Sequence, residues 1–122
     1  MKKTVFFNTI YGIGMLSLIS CTHNPDLTKV RTVSFNTEVL PIFQTNCATS
    51  GCHDNSTKES GYELNNYGNI MTGISAGNAN KSKLYKEISS PLITMPPSSR
   101  NPLNQDQRSL IYVWIEQGAK NN

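Results

Sequence analysis

From Val33 onward, short apolar stripes at helical spacing alternate with polar breaks rich in asparagine, glycine and serine. Phe35, Val39 and Phe43 recur every fourth residue with Ile42 beside them, which predicts a helix capped by Asn36 with Glu38 in its first turn. Pro41 either kinks that helix or opens a shorter one over Leu40 to Asn46, because its ring tolerates only a first turn. Asp54 to Gly61 is polar and reads as a loop. Asn66 to Ile74 then makes a short helix carrying Tyr67, Ile70 and Met71, ended by Gly77-Asn78-Ala79-Asn80. Another runs from Lys81 to Ser89 with Asn80 as its cap, Leu84, Tyr85 and Ile88 inward, and Lys81, Lys83 and Lys86 in solvent. No helix crosses Pro91 to Pro97. The last helix is the best marked: Asn104 and Gln107 form a capping box, Leu110, Ile111, Trp114 and Ile115 its apolar face, and Gly118 its stop. The expected fold class is all-α.

The first twenty residues are of another kind. Lys2 and Lys3 precede an apolar run from Val5 to Ile19 that Asn8, Thr9 and two glycines interrupt, a pattern that fits a secretory signal and is too short and broken for a spanning helix. Leu18-Ile19-Ser20-Cys21 resembles the lipobox of bacterial lipoproteins, in which the cysteine becomes the lipid-modified first residue of the mature chain. The expected organisation is a signal over 1–20, a tether over 21–32 and one domain over 33–122, held at the membrane by lipid on Cys21 and facing the periplasm or the cell surface. Losing Lys2 and Lys3 takes the formal charge from +3 to +1, so nothing in the charge argues for nucleic acid as a partner. A domain of this size buries only a modest core, which favours a cofactor as its centre.

Lipid on Cys21 leaves two of the three cysteines, and they share one stretch, Cys47-Ala48-Thr49-Ser50-Gly51-Cys52-His53. A cysteine pair followed at once by histidine is the arrangement that attaches a c-type haem, each thiol adding across a vinyl group while the imidazole reaches the iron. Here four residues separate the cysteines, the longer variant of the spacing, and Ser50 and Gly51 give the loop freedom to bulge. Three other readings use the same residues. An exported protein could join Cys47 to Cys52 as a disulfide loop. A zinc site would draw on Cys47, Cys52, His53 and the remote His23, which reads more simply as an exposed tether residue. A redox dithiol usually has its cysteines two residues apart at a helix start, unlike this loop. Met95, held on stiff backbone before Pro96 and Pro97, is the candidate second axial ligand, whereas Met71 sits in an amphipathic helix as core. Trp114 is core, and a haem propionate is one possible partner for its N–H.

Taken in order, Phe35, Val39-Leu40-Pro41-Ile42-Phe43, Cys47, Cys52-His53, Ser82-Lys83-Leu84-Tyr85, Ile88, Met95-Pro96-Pro97 and Trp114 to Ala119 resemble small bacterial cytochrome c domains of the planctomycete type, including lipoprotein forms. The resemblance spans about Val33 to Ala119. It implies helices around one covalent haem c, thioethers from Cys47 and Cys52, His53 as proximal ligand and Met95 opposite, with the first and last helices crossing. An iron with both ligands from the protein has no open position for substrate, so the expected activity is one-electron transfer with redox partner proteins of the cell envelope and not catalysis. The non-ligating nitrogen of His53 is expected to donate to a backbone carbonyl that fixes the ring. An iron left open by Met95, for gas sensing or peroxide reduction, and a haem-free lipoprotein stapled by disulfide are the alternative readings.

Overall fold

After a 3₁₀ turn at Leu27–Lys29, Ser34 opens the first longer helical segment of the computed structural model, which describes residues 26–92, 95–97, 100 and 102–122. Its hydroxyl accepts from the Thr37 N–H at 3.4 Å and its own N–H donates to Glu38 at 3.0 Å, so Ser34 is the cap, two residues before the expected Asn36. Asn36 is otherwise engaged: its N–H donates to the Asn122 carbonyl at 2.9 Å. The first turn, Phe35–Val39, is a π-helical turn that passes directly into helix α1, Leu40–Asn46. Pro41 gives the reason. Its ring collides with a carbonyl four residues back in a regular helix, and the wider turn moves that carbonyl aside. Of the two sequence readings, the shorter helix over Leu40–Asn46 is the one observed.

Helix α2, Tyr67–Met71, is capped by the Asn66 side chain, which accepts from the Asn69 N–H at 3.0 Å. It stops short of the expected Ile74 because the Gly73 carbonyl turns to accept from the Leu84 N–H at 3.1 Å. A 3₁₀ turn at Ala79–Lys81 follows, capped by Asn78 and not by Asn80, and helix α3 covers Lys83–Ser89. Ser82 precedes α3 without capping it; its buried hydroxyl accepts from the Ser75 N–H at 2.9 Å and donates to the Asn78 carbonyl at 2.9 Å. Lys81, Lys83 and Lys86 are exposed, as expected.

Helix α4, Gln105–Glu116, carries the expected capping box in full, with Asn104 and Gln107 bonded in both directions. It ends where Gly118 enters the left-handed region at φ +97°. The Ala119 N–H reaches back to Trp114 at 2.9 Å and the Gly118 N–H to Ile115 at 3.0 Å, the paired bonds of a Schellman motif. That turn brings the Lys120 carbonyl to the Trp114 indole at 2.8 Å, so a main-chain group satisfies the N–H for which a propionate had been considered.

Phe35 joins the first turn at Phe35–Val39 to α2 and α4. Its ring packs edge-on against Tyr67 at 5.1 Å and tilted against Trp114 at 5.3 Å, at the centre of a core that also holds Val39, Ile42, Phe43, Ile70, Ile111 and Ile115. Asn122 closes the same pole: its side chain accepts from the Phe35 N–H at 2.9 Å and donates to the Val33 carbonyl at 3.3 Å. Every regular element among the described residues is helical, so the class is all-α, and none of these helices is long and apolar enough to cross a membrane. The signal segment, Cys21 and His23 lie outside the described residues.

Candidate functional site

Helix α1 delivers Cys47 at its C-terminal end, where the N–H groups of Cys47 and Ala48 both bond the Phe43 carbonyl, at 2.9 and 2.8 Å. The four residues that follow fold into a closed loop. Gly51 takes φ +79°, the Cys52 N–H bonds the Thr49 carbonyl at 3.0 Å, and the His53 N–H returns to the Cys47 carbonyl at 3.1 Å. The long spacing is thus absorbed by a loop whose two ends are tied together. Asp54 begins the next turn by accepting from the Thr57 N–H at 2.7 Å, which holds its carboxyl below the usual range.

A second turn orients the histidine. Lys58, Ser60 and Gly61 take positive φ values of 47°, 54° and 79°, doubling the chain back so that Tyr62 lies beside His53. The Tyr62 carbonyl faces the His53 Nδ1 at 3.1 Å, and the Leu64 N–H bonds the His53 carbonyl at 2.9 Å. A carbonyl only accepts, so Nδ1 carries a proton, and in the neutral ring the lone pair is then on Nε2. This is the backbone contact that orients a metal-binding imidazole and sets its tautomer.

Cys47, Cys52, His53 and Met95 all border one cavity of about 540 Å³. Phe43, Leu64, Leu84 and Ile88 supply apolar wall, and Glu59, Lys83, Glu87 and Arg100 bring charge to it. Its volume lies within the ~300–1,000 Å³ of ordinary ligand sites. Burial, then the nearby Cys52, pushes the Cys47 thiol up to about 12. The two sulfurs are not joined, and among the described residues, which leave out His23, no group of three or more His, Cys, Asp or Glu side chains is placed to hold an ion. Met71 packs against the core and does not border the cavity, whereas Met95 does both. The donor set therefore fits a haem: two thiols, an imidazole with a free Nε2 and a thioether around one largely apolar space.

Sequence reasoning missed Tyr62, which contributes a main-chain oxygen, and did not connect Lys83 or Arg100 with the cavity. The turn that presents Tyr62 could have been suspected from Ser60-Gly61, but a carbonyl's direction leaves no trace in side-chain pattern.

Residues 50–99 match the family described as Planctomycete cytochrome C, a span that includes Cys52, His53 and Met95 and begins three residues after Cys47. No curated protein and no solved structure matches the chain.

Proposed function

With a planctomycete-type cytochrome c domain supported over residues 50–99, we propose that this chain is a lipid-anchored, monohaem c-type cytochrome that carries single electrons in the cell envelope. One observation carries the reading: the two thiols, the imidazole and the thioether singled out from sequence border the same cavity. Cys47 and Cys52 would hold the haem through thioether bonds, with His53 Nε2 and the Met95 sulfur as donors to its iron. The bound haem supplies a one-electron couple at its iron.

The chain's own residues govern how that couple is used. The Tyr62 carbonyl fixes the His53 ring and its tautomer. Phe43, Leu64 and Ile88 exclude water from the cavity wall, and the low dielectric strengthens every charge effect inside. With both iron donors supplied by the protein, no position would be left for a substrate, which favours carriage of electrons over catalysis. A methionine donor together with the histidine would raise the potential. Lipid on Cys21, followed by the tether, would keep the domain beside membrane-bound redox partners.

Intact mass decides the matter. The full chain is produced in a periplasm equipped for cytochrome c maturation, then denatured, reduced and alkylated. The expected mature domain carries one haem and no alkyl group on Cys47 or Cys52. One haem with one alkylated cysteine would mean a single thioether; two alkylated cysteines and no haem would overturn the proposal.

A further inference from the structure

Four charged side chains border the cavity: Glu59, Lys83, Glu87 and Arg100. Without Lys83 the other three carry a formal −1, and the lysine brings the border to neutrality. Its placement is specific. Lys83 is the first residue of α3, where a positive charge faces the positive end of the helix dipole. Lys81 and Lys86, its neighbours in the same stretch, are exposed as Lys83 is but do not border the cavity.

Tyr62 ties Lys83 to the histidine. The Lys83 ammonium lies 5.0 Å from the centre of the Tyr62 ring, within cation–π range, while the Tyr62 carbonyl receives the His53 Nδ1–H at 3.1 Å. The side chain of one residue thus holds the cation, and its main chain holds the imidazole. The dipole cost at the start of α3 is offset by this aromatic face.

Resting on the haem reading above, we propose that Lys83 is a potential-setting residue, whose ammonium favours the reduced form of the bound haem. Reduction of the ferric iron by one electron adds one negative charge to the cavity. A cation fixed at the border stabilises that charge more than it stabilises the oxidised state. Removing the cation lowers the potential. Replacing it by another cation of similar reach does not.

The test is a spectroelectrochemical titration of the full-length, haem-loaded chain, with soluble mediators as electron donors. Lys83→Gln is expected to lower the midpoint potential at low ionic strength, and Lys83→Arg to keep it near wild type. The shift should shrink with salt, as the screening length falls from about 30 Å at 0.01 M to about 8 Å at 0.15 M. Lys81→Gln and Lys86→Gln are the controls and should leave the potential in place. An unmoved potential in Lys83→Gln, or equal shifts in both controls, overturns the inference, the latter by reducing the effect to total charge. A wild-type chain with no haem overturns the reading beneath it, whereas a haem-bearing chain whose potential ignores Lys83 overturns this step alone.

Discussion

The Cys47 thiol, held at about 12 first by burial and then by Cys52, stays protonated at any ordinary pH. Since the thiolate is the nucleophile, this half-buried sulfur is expected to react more readily in the open chain than in the fold. The sign of the pH effect follows from the raised value. Between the ordinary value of 9.0 and about 12 the folded haem-free chain keeps a proton that the unfolded chain has lost, so stability falls as pH rises through that window. At pH 8, alkylation of Cys47 in the native haem-free chain is expected to be at least about tenfold slower than in denaturant, read by mass spectrometry of the Cys47 peptide. Equal rates would show that the fold does not hold the thiol. At this scale the side chains were legible in part: Cys47, Cys52, His53 and Met95, singled out from the sequence, border one cavity, whereas Lys83 and Arg100 were not connected with it. Where chemistry lies in the main chain the sequence named no residue: a backbone carbonyl was to be expected on the His53 ring, but which one was not legible. The partners of the Trp114 indole and the His53 ring are carbonyls of Lys120 and Tyr62, each presented by a turn with positive φ.

Between elements, the contact of the turn after α2 with α3 sets one wall of the cavity. A Cβ built on Gly73 would lie 2.5 Å from Leu84 Cγ, so the absence of a side chain at 73 is what lets Leu84 stand back from the space it borders. Gly73→Ala is expected to cost about 1–3 kcal/mol, the usual range for overpacking. In a Leu84→Ala background the same change should cost much less, since the obstructing atoms are gone; thermal denaturation of the four chains gives the coupling, and additive effects would refute the clash. Helix positions were legible from the apolar stripes, but the caps of the first and third helices were misassigned. Asn36 and Asn80 are good capping residues by type, yet Ser34 and Asn78 hold the capping bonds because those positions have extended backbone when the turns form. Propensity ranks candidates; local backbone geometry selects among them.

For the whole molecule, closure depends on joining the two ends of the domain. Phe35 packs on Trp114, Gln117 accepts from the Val33 N–H at 2.9 Å and donates to the Arg31 carbonyl at 3.0 Å, and Asn122 brackets Val33 and Phe35. Arg31, in the stretch read as tether, also pairs with Glu38, whose carboxyl is drawn down to about 2 by that side chain and then by the Ser34 N–H. Asn122→Ala removes both side-chain bonds and leaves their backbone partners unpaired, so a loss of about 1–2 kcal/mol is expected. Calorimetry should show a fall in Tm of roughly 4–8 °C per kcal/mol for a domain of this size, and an unchanged Tm would mean that water replaces the bonds without penalty. An all-α class was readable from periodicity. The role of Asn122 was not, because nothing in a terminal Lys-Asn-Asn distinguishes a clasp from a polar tail.

The wide turn at Phe35–Val39 also bears on changes of chain length. A π turn is a helix carrying one residue more than its neighbours, so shortening it by one residue leaves the downstream helix facing as before. The same deletion within Ile42 to Asn46 would swing Cys47 about 100° around the axis and carry its sulfur off the cavity. Length variation upstream of the cysteines therefore has a natural place to be absorbed, and Pro41, which keeps the turn wide, decides where that place lies.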